Sequence, residues 1–303
     1  LYLKNDWNDG KIGILGFDSC VMSMLEVGHE LKGVAQTIVA SEGSLPNSGW
    51  GYAPMLTKFV STFTPRSEKA AFTSPVYVRE AAKDFVVAFT DHHKKLLIGG
   101  RSIDISAWDL DNLPPVTSGV NRLAIKLNQH LDLTEKFDKG QIEDKDIALL
   151  QELKKVLLQS HFDAQTYMEE QCVDLRDFCM RLIYESKFIT DESHAPIFEE
   201  IREICGEIIQ AIDSCVIKCG YSGDEYQFSN GISIYFPWSY VTYFLTDYRY
   251  RYLAFNRGEH GNVENPEGDG KDWNSFLDNY LTRVCLRRAR KDDNGKVREL
   301  DQC

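Results

Sequence analysis

The first apolar run, Lys11–Phe17 (KIGILGF), is short, nearly unbroken, and closed by Asp18-Ser19. A strand with almost every position apolar is one covered on both faces, as in a parallel sheet packed between helices. From Val21 to Leu31 (VMSMLEVGHEL) the spacing is helical, and Gly33 is a natural stop. Val34–Ala40 (VAQTIVA) reads as a strand again. Strand, helix and strand within about thirty residues make one right-handed crossover unit of an α/β sheet. Cys20 falls where the first strand ends, and open α/β sheets gather their chemistry at the carboxyl ends of strands.

Ser41–Tyr52 (SEGSLPNSGWGY) is dense in Gly, Pro, Ser and Asn and predicts a loop. Helical spacing covers Ala53–Thr62 and Val78–Thr90, and a strand is expected over Ser102–Ala107. From Leu113 the pattern is mainly helical, with Leu149, Leu150, Leu153, Val156 and Leu157 in register and a charged break at Asp138–Asp146. Met168, Cys172, Leu175, Cys179 and Leu182 extend helical spacing across Tyr167–Tyr184. Pro196 opens a further helix that Gly220 closes, with Ile197, Ile201, Ile204, Ile208, Ile212 and Cys215 along one face. Gly231–Phe236 (GISIYF) is a last strand stopped by Pro237, and the charged tail from Arg287 is expected to be loosely held. The expected division is a sheet core over 1–111, a mainly helical region over 112–228, a returning strand and closing helix over 229–285, and a tail over 286–303.

Charge narrows the function classes. The 303 residues carry 34 basic and 46 acidic side chains, a net charge of -12, which repels phosphate backbones and excludes nucleic acid as a partner. No apolar run approaches the roughly 20 residues of a membrane span. Leu1–Trp7 lacks an initiator Met and a signal pattern, so the chain is expected to start at a processing site. The eight cysteines are scattered rather than paired, which predicts reduced thiols and a cytoplasmic setting.

Asp18-Ser19-Cys20 at a strand end suits a thiol nucleophile. A helix starting there would aim its amino terminus at the sulfur and favour thiolate, and a backbone amide would help hold an oxyanion. Taken alone, the segment reads more readily as the place of a buried structural cysteine, the commoner fate of a free thiol. Asp18 has two readings as well: a recognition carboxylate, or a cap for that helix.

Five stretches in order change the balance. Cys20 is followed by Met22, Met24, Glu26-Val27 and Glu30-Leu31, then Ala40-Ser41-Glu42, Pro46, Gly49-Trp50 and Tyr52. Later come Ser106-Ala107-Trp108-Asp109-Leu110, Val173–Phe178, Gly231–Pro237, and Trp273 with Phe276-Leu277 and Tyr280. Together they resemble the clostripain-like cysteine peptidases. The resemblance implies an α/β, caspase-like fold: a parallel-rich sheet flanked by helices, with a large helical insert as its second half. It implies peptide-bond hydrolysis after Arg or Lys by a Cys/His dyad. Cys20 would be the nucleophile and Asp18 the partner of the basic side chain, with Ser106, Ala107 and Glu42 as further substrate contacts and Ile105-Ser106-Ala107 as the strand edge along which substrate lies.

The family's His-Gly motif precedes its cysteine, and no histidine lies among the nineteen residues before Cys20. The expected account is a zymogen that cuts itself, with the catalytic histidine on a separate amino-terminal fragment. His29 reads as structural, His92-His93 as a solvated patch beyond a helix end, and His260-Gly261 as a loop. No cofactor is expected to be required. Calcium has no defined loop here, although Asp138–Asp146 and Asp191–His194 are acidic clusters. The partners expected are protein or peptide substrates, that fragment, and a regulatory protein. The alternative is an inactive or partner-activated caspase-fold interaction module using the helical half.

Overall fold

The computed structural model describes residues 10–63, 74–96, 101–133, 136, 141, 143–168, 171–238, 250, 253–257, 259–260, 263–264, 271–284, 288–291 and 297–301. Leu1–Trp7, Cys285, Cys303, Gly261 and residues 138–140 and 142 of the charged break lie outside the described residues. The chain divides into two compact units along bounds other than the four segments expected. One holds residues 1–116, 165–177 and 209–235; the other holds 117–164, 178–208 and 236–303.

The first unit is built on a four-stranded sheet of β1 (Ile12–Gly16), β2 (Ala35–Ala40), β3 (Ile103–Asp109) and β6 (Val216–Ser222), in the order β1-β2-β3-β6. β1 and β2 run parallel, joined through α1 (Leu25–Leu31), as the crossover pattern requires. The chain then passes through α2 (Tyr52–Phe63) and α3 (Pro75–Leu96) and enters β3 from the end where β2 stopped. β3 is therefore antiparallel to β2, and β6 is antiparallel to β3, so the sheet is mixed.

β3 alternates as a strand should, with a different use for each face. Ile103, Ile105 and Ala107 point into an apolar cluster with Val39 of β2, Met55 of α2, and Ala82, Val86 and Phe89 of α3. Asp104, Ser106 and Trp108 take the other face, and all three are buried there too. That second face is covered by α1 and by the segment leading into β7 (Ser233–Tyr235). Ser23 Oγ lies 2.8 Å from Ser106 Oγ and donates to Gly231 O at 2.7 Å, and Trp108 Nε1 donates to Ser23 Oγ at 3.0 Å. α1 fits here because Gly28 has no Cβ: one would overlap the Trp108 ring.

Three expected helical stretches are different. Val21 adopts a positive φ of 55°, and Met22 and Ser23 donate to Ser41 O, so α1 begins at Leu25 rather than at Val21. Tyr167 belongs to β4 (Thr166–Tyr167), and Cys172 starts β5 (Cys172–Asp174), which pairs on both sides with β4 and β7. Only then does α6 (Leu175–Glu185) begin, with Asp174 Oδ1 accepting from Asp177 N at 2.7 Å as its cap. α7 (Ala195–Cys215) stops before Val216, and Gly220 lies inside β6, where pairing with β3 overrides the helical spacing.

In the second unit α4 (Pro114–Leu131) and α5 (Asp144–Asp163) carry the expected apolar faces, with Leu153, Val156 and Leu157 buried. Glu143 and Asp146 form a capping box at the start of α5. His161 is stacked between Phe236 and Trp238, both at 3.9 Å, and its Nδ1 is 2.9 Å from Tyr280 Oη. Burial holds its pKa down to about 3, so it is a neutral core side chain. The tail forms an antiparallel pair, Arg288–Lys291 with Val297–Asp301.

Gly28→Ala is expected to destabilise the protein by about 1–3 kcal/mol, because Trp108 is packed on both sides and has nowhere to move. Chemical denaturation of the two proteins side by side checks this; equal midpoints would show that the Trp108 ring yields.

Candidate active site

β1 and β2 end, β3 begins and β6 ends at the same end of the sheet, since Ala40 pairs with Ser106 and Ile103 with Ser222. Cys20 leaves β1 there. Its sulfur accepts from the backbone N–H of Leu45 at 3.2 Å, and the residue is exposed. Cys172, Cys179, Cys205 and Cys215 are buried, and Cys219 is half-buried. Burial pushes the Cys215 thiol up to about 12 and the Cys172 thiol higher still. Among the described cysteines, then, the exposed thiol is Cys20, which removes the structural-cysteine reading. Cys219 lies on β6, whereas Cys215 ends α7.

The expected helix dipole does not reach the sulfur, because α1 starts five residues after Cys20 and is one short helix of seven residues. What replaces it is the Ser41–Leu45 segment, held from two sides. Val21 N donates to Gly43 O at 3.1 Å, while Met22 N and Ser23 N donate to Ser41 O at 3.0 and 2.9 Å. From beneath, the Asp104 carboxylate accepts from Glu42 N and Gly43 N, both at 2.8 Å. The segment is thereby fixed where Leu45 N meets the sulfur. The amides of residues 21–23 are all taken by these carbonyls.

Asp18 is exposed and caps no helix. Its Oδ2 accepts from Trp50 N at 3.1 Å and from Tyr52 Oη at 2.7 Å. Gly49 sits against it with φ +68°, where a Cβ would come within 2.6 Å of Oδ2. The same hydrogen bond raises the pKa of the Tyr52 phenol, keeping it a donor. Trp50 packs edge-on against Phe85 of α3, with ring centroids 5.0 Å apart, which anchors this turn to the sheet. Cys20 and Asp18 thus rest on two ends of one loop, Leu45–Tyr52. Beside the loop is a cavity of about 710 Å³ whose lining includes Pro46, Ser48, His93, Arg101, Asp224 and Glu225.

Ser106, Ala107 and Glu42 lie under the site rather than in it. All three are fully buried. β3 is paired on both sides, with β2 and β6, so Ile105-Ser106-Ala107 offers no free edge to a substrate. Ser106 Oγ is bonded to Ser23 and Gly231, and Glu42 Oε2 accepts from Gly231 N at 2.8 Å. Their place is the support of the loop. Asp104, Leu45, Ser23 and Tyr52 are the participants that motif reading passed over. Asp104 had a visible signal: an acid alternating with isoleucines in a strand covered on both faces. Tyr52 closes the Pro46–Tyr52 motif without a role assigned to it.

His29 is buried on α1; His92 and His93 lie inside α3, not beyond it, with His92 against Gly51 and His93 Nδ1 3.0 Å from Phe89 O. His194 Nδ1 is 2.6 Å from Glu152, and Asp191 is occupied by Ser193, bonded to its amide at 2.9 Å and its hydroxyl at 2.6 Å. Among the described residues no three His, Cys, Asp or Glu side chains are grouped as metal ligands, and no helix is long and apolar enough to cross a membrane.

The sequence model of the clostripain family, Peptidase_C11, matches residues 3–279. Solved structures similar to this chain include a B. fragilis cysteine protease, 14% identical with a TM-score of 0.48, covering 80% of this chain and 84% of that one. An inactive zymogen C11 protease from Parabacteroides distasonis is also 14% identical with a TM-score of 0.48, covering 80% of this chain and 57% of that one. A clostripain from Bacteroides thetaiotaomicron in complex with a peptide inhibitor is 15% identical with a TM-score of 0.39, covering 74% and 78%. Curated proteins gave no match.

Three carboxylates meet below the loop. Burial raises Asp104 to about 6 and Asp174 to about 7, and raises Glu42 as well, with the charges of Asp174 and Asp104 adding to it. Their unfolded values lie near 4. The folded protein therefore keeps protons that the unfolded chain gives up, and this contribution to stability is present below about pH 4 and lost as pH rises through about 7. Thermal melting should fall across that window. In Glu42→Gln, which keeps an acceptor for Gly231 and loses a charge, the fall should be shallower and the variant should melt above wild type at pH 8. Parallel melting curves would contradict the shared-proton cluster.

Proposed function

We propose, from the premise that this chain belongs to the clostripain family of cysteine peptidases, that it is an endopeptidase cutting after Arg or Lys. The observation that carries the reading is an exposed cysteine sulfur held by Leu45 N–H, with the Asp18 carboxylate presented by the same loop two residues earlier. Cys20 Sγ attacks the carbonyl carbon of the residue whose basic side chain meets Asp18. The carbonyl oxygen gains the negative charge, and the Cys20 amide donates to it. Collapse of that intermediate breaks the C–N bond, the amine leaves with a proton, and a thioester remains on Cys20. Water then attacks the thioester and returns the thiol.

A base must take the proton from the sulfur and give it to the departing amine, then take one from the attacking water and return it to the sulfur as the carboxylic acid product leaves. We assign it to a histidine on an amino-terminal fragment of the same protein, separated by proteolytic maturation at a basic residue. His29 supports this assignment by being fully buried on α1, closed to a substrate. No step of the scheme calls on a metal. The cavity beside Pro46 and Ser48 gives an extended peptide a place to continue beyond the reacting residue.

Cys20→Ala in the full-length protein is expected to lower kcat on basic peptides by about a thousandfold or more. Asp18→Asn should lower kcat/KM by roughly tenfold or more, with the loss concentrated in KM, since a charge-assisted contact to the ground-state side chain is removed. Intact mass spectrometry reports maturation in parallel: the wild type should appear as two pieces and Cys20→Ala as one. A Cys20→Ala protein that cleaves like wild type would end the proposal, and an uncut wild type with no peptidase activity would favour a partner-activated interaction module.

A further inference from the structure

Asp18 does not present its two oxygens equally. Oδ2 accepts two hydrogen bonds, from Trp50 N at 3.1 Å and Tyr52 Oη at 2.7 Å, and Gly49 closes over the same oxygen with its positive φ. A carboxylate offers about two lone-pair directions per oxygen, so Oδ2 is filled. Oδ1 has no hydrogen-bond partner among the described residues.

The two basic side chains ask different things of a carboxylate. A guanidinium binds best as a fork, with two parallel N–H bonds to both oxygens; an ammonium is a point charge whose three donors rotate freely. One free oxygen satisfies an ammonium and denies the guanidinium its second bond.

We propose that Tyr52 is a specificity-determining residue that turns Asp18 into a one-oxygen acceptor, so that this site favours lysine over arginine before the scissile bond. The inference rests on the reading of Asp18 as the recognition carboxylate. Tyr52 is well suited to the task because its ring stands at the surface, 53% exposed, beside the open side of Asp18. The Trp50 ring lies 6.3 Å away at 48° and remains a neighbour when the hydroxyl is removed. The backbone donor from Trp50 cannot be removed by a side-chain change, whereas the Tyr52 hydroxyl can.

The test is the ratio of kcat/KM for two peptides that differ only in Lys or Arg before the cut, measured on the active full-length protein. Wild type should prefer the Lys peptide. Tyr52→Phe returns a lone pair to Oδ2, and the ratio should move toward Arg by about tenfold, the scale of one charge-assisted hydrogen bond, through KM rather than kcat. A merely structural role for Tyr52 would slow both peptides together and leave the ratio unchanged, which overturns the proposal, as does a wild type that prefers Arg. Asp18→Asn separates the two levels. If cleavage after both residues survives it, the recognition role of Asp18 fails and the Tyr52 proposal with it. If it weakens both cleavages while Tyr52→Phe leaves the ratio fixed, only the role of Tyr52 fails.

Discussion

Asp104 is a buried carboxylate whose two oxygens accept the backbone N–H groups of Glu42 and Gly43. Hydrogen bonds to a buried charged acceptor contribute about 1.5–3 kcal/mol each, and leaving those amides without a partner would cost a similar amount. The position of the Ser41–Leu45 segment follows from this pair of bonds. With that segment set, its carbonyls collect Val21, Met22 and Ser23, and its last amide reaches the sulfur of Cys20. The Cys20 sulfur is thus placed by a strand residue on β3 that it never touches.

That arrangement explains why the polar face of β3 is buried. A strand reading Ile103-Asp104-Ile105-Ser106 would normally turn its polar side to water. Here the polar side supports the reactive loop: Ser106 ties Ser23 to Gly231, and Glu42 holds Gly231 from the other direction. The cost is electrostatic. Glu42, Asp104 and Asp174 cannot all ionise in one dry place, so the support retains protons in the neutral range. The other face of the same strand is an ordinary apolar layer against α3, and it makes the platform stiff. Preorganisation of this kind is what lets an exposed thiol be both accessible and fixed.

Much of this was legible in the residues. The apolar runs gave β1 and β2 within a residue or two, the Gly- and Pro-rich loop was located, and the thiol of interest was singled out by the motifs around it. The expected helix start failed at Val21 because a single positive φ and two bonds to Ser41 hold the chain out of helix, and no local signal marks that. Cys172–Asp174 and Val216–Ser222 have helical spacing, yet strands from distant parts of the chain claim them. Ser106, Ala107 and Glu42 were read as substrate contacts because motif order says that residues matter, not which side of the sheet they face. Burial separates the two.

We propose that the loop held by Asp104 presents Cys20, and not another cysteine, to a basic peptide. The most direct measurement is labelling of the protein with a peptidyl acyloxymethyl ketone carrying lysine at its reactive end, followed by peptide mapping of the adduct. A single adduct on Cys20 is expected, strongly slowed in Asp104→Asn, where one loop amide loses its acceptor. Adducts spread over several cysteines, or undiminished labelling of Cys20 in a folded Asp104→Asn protein, would contradict it.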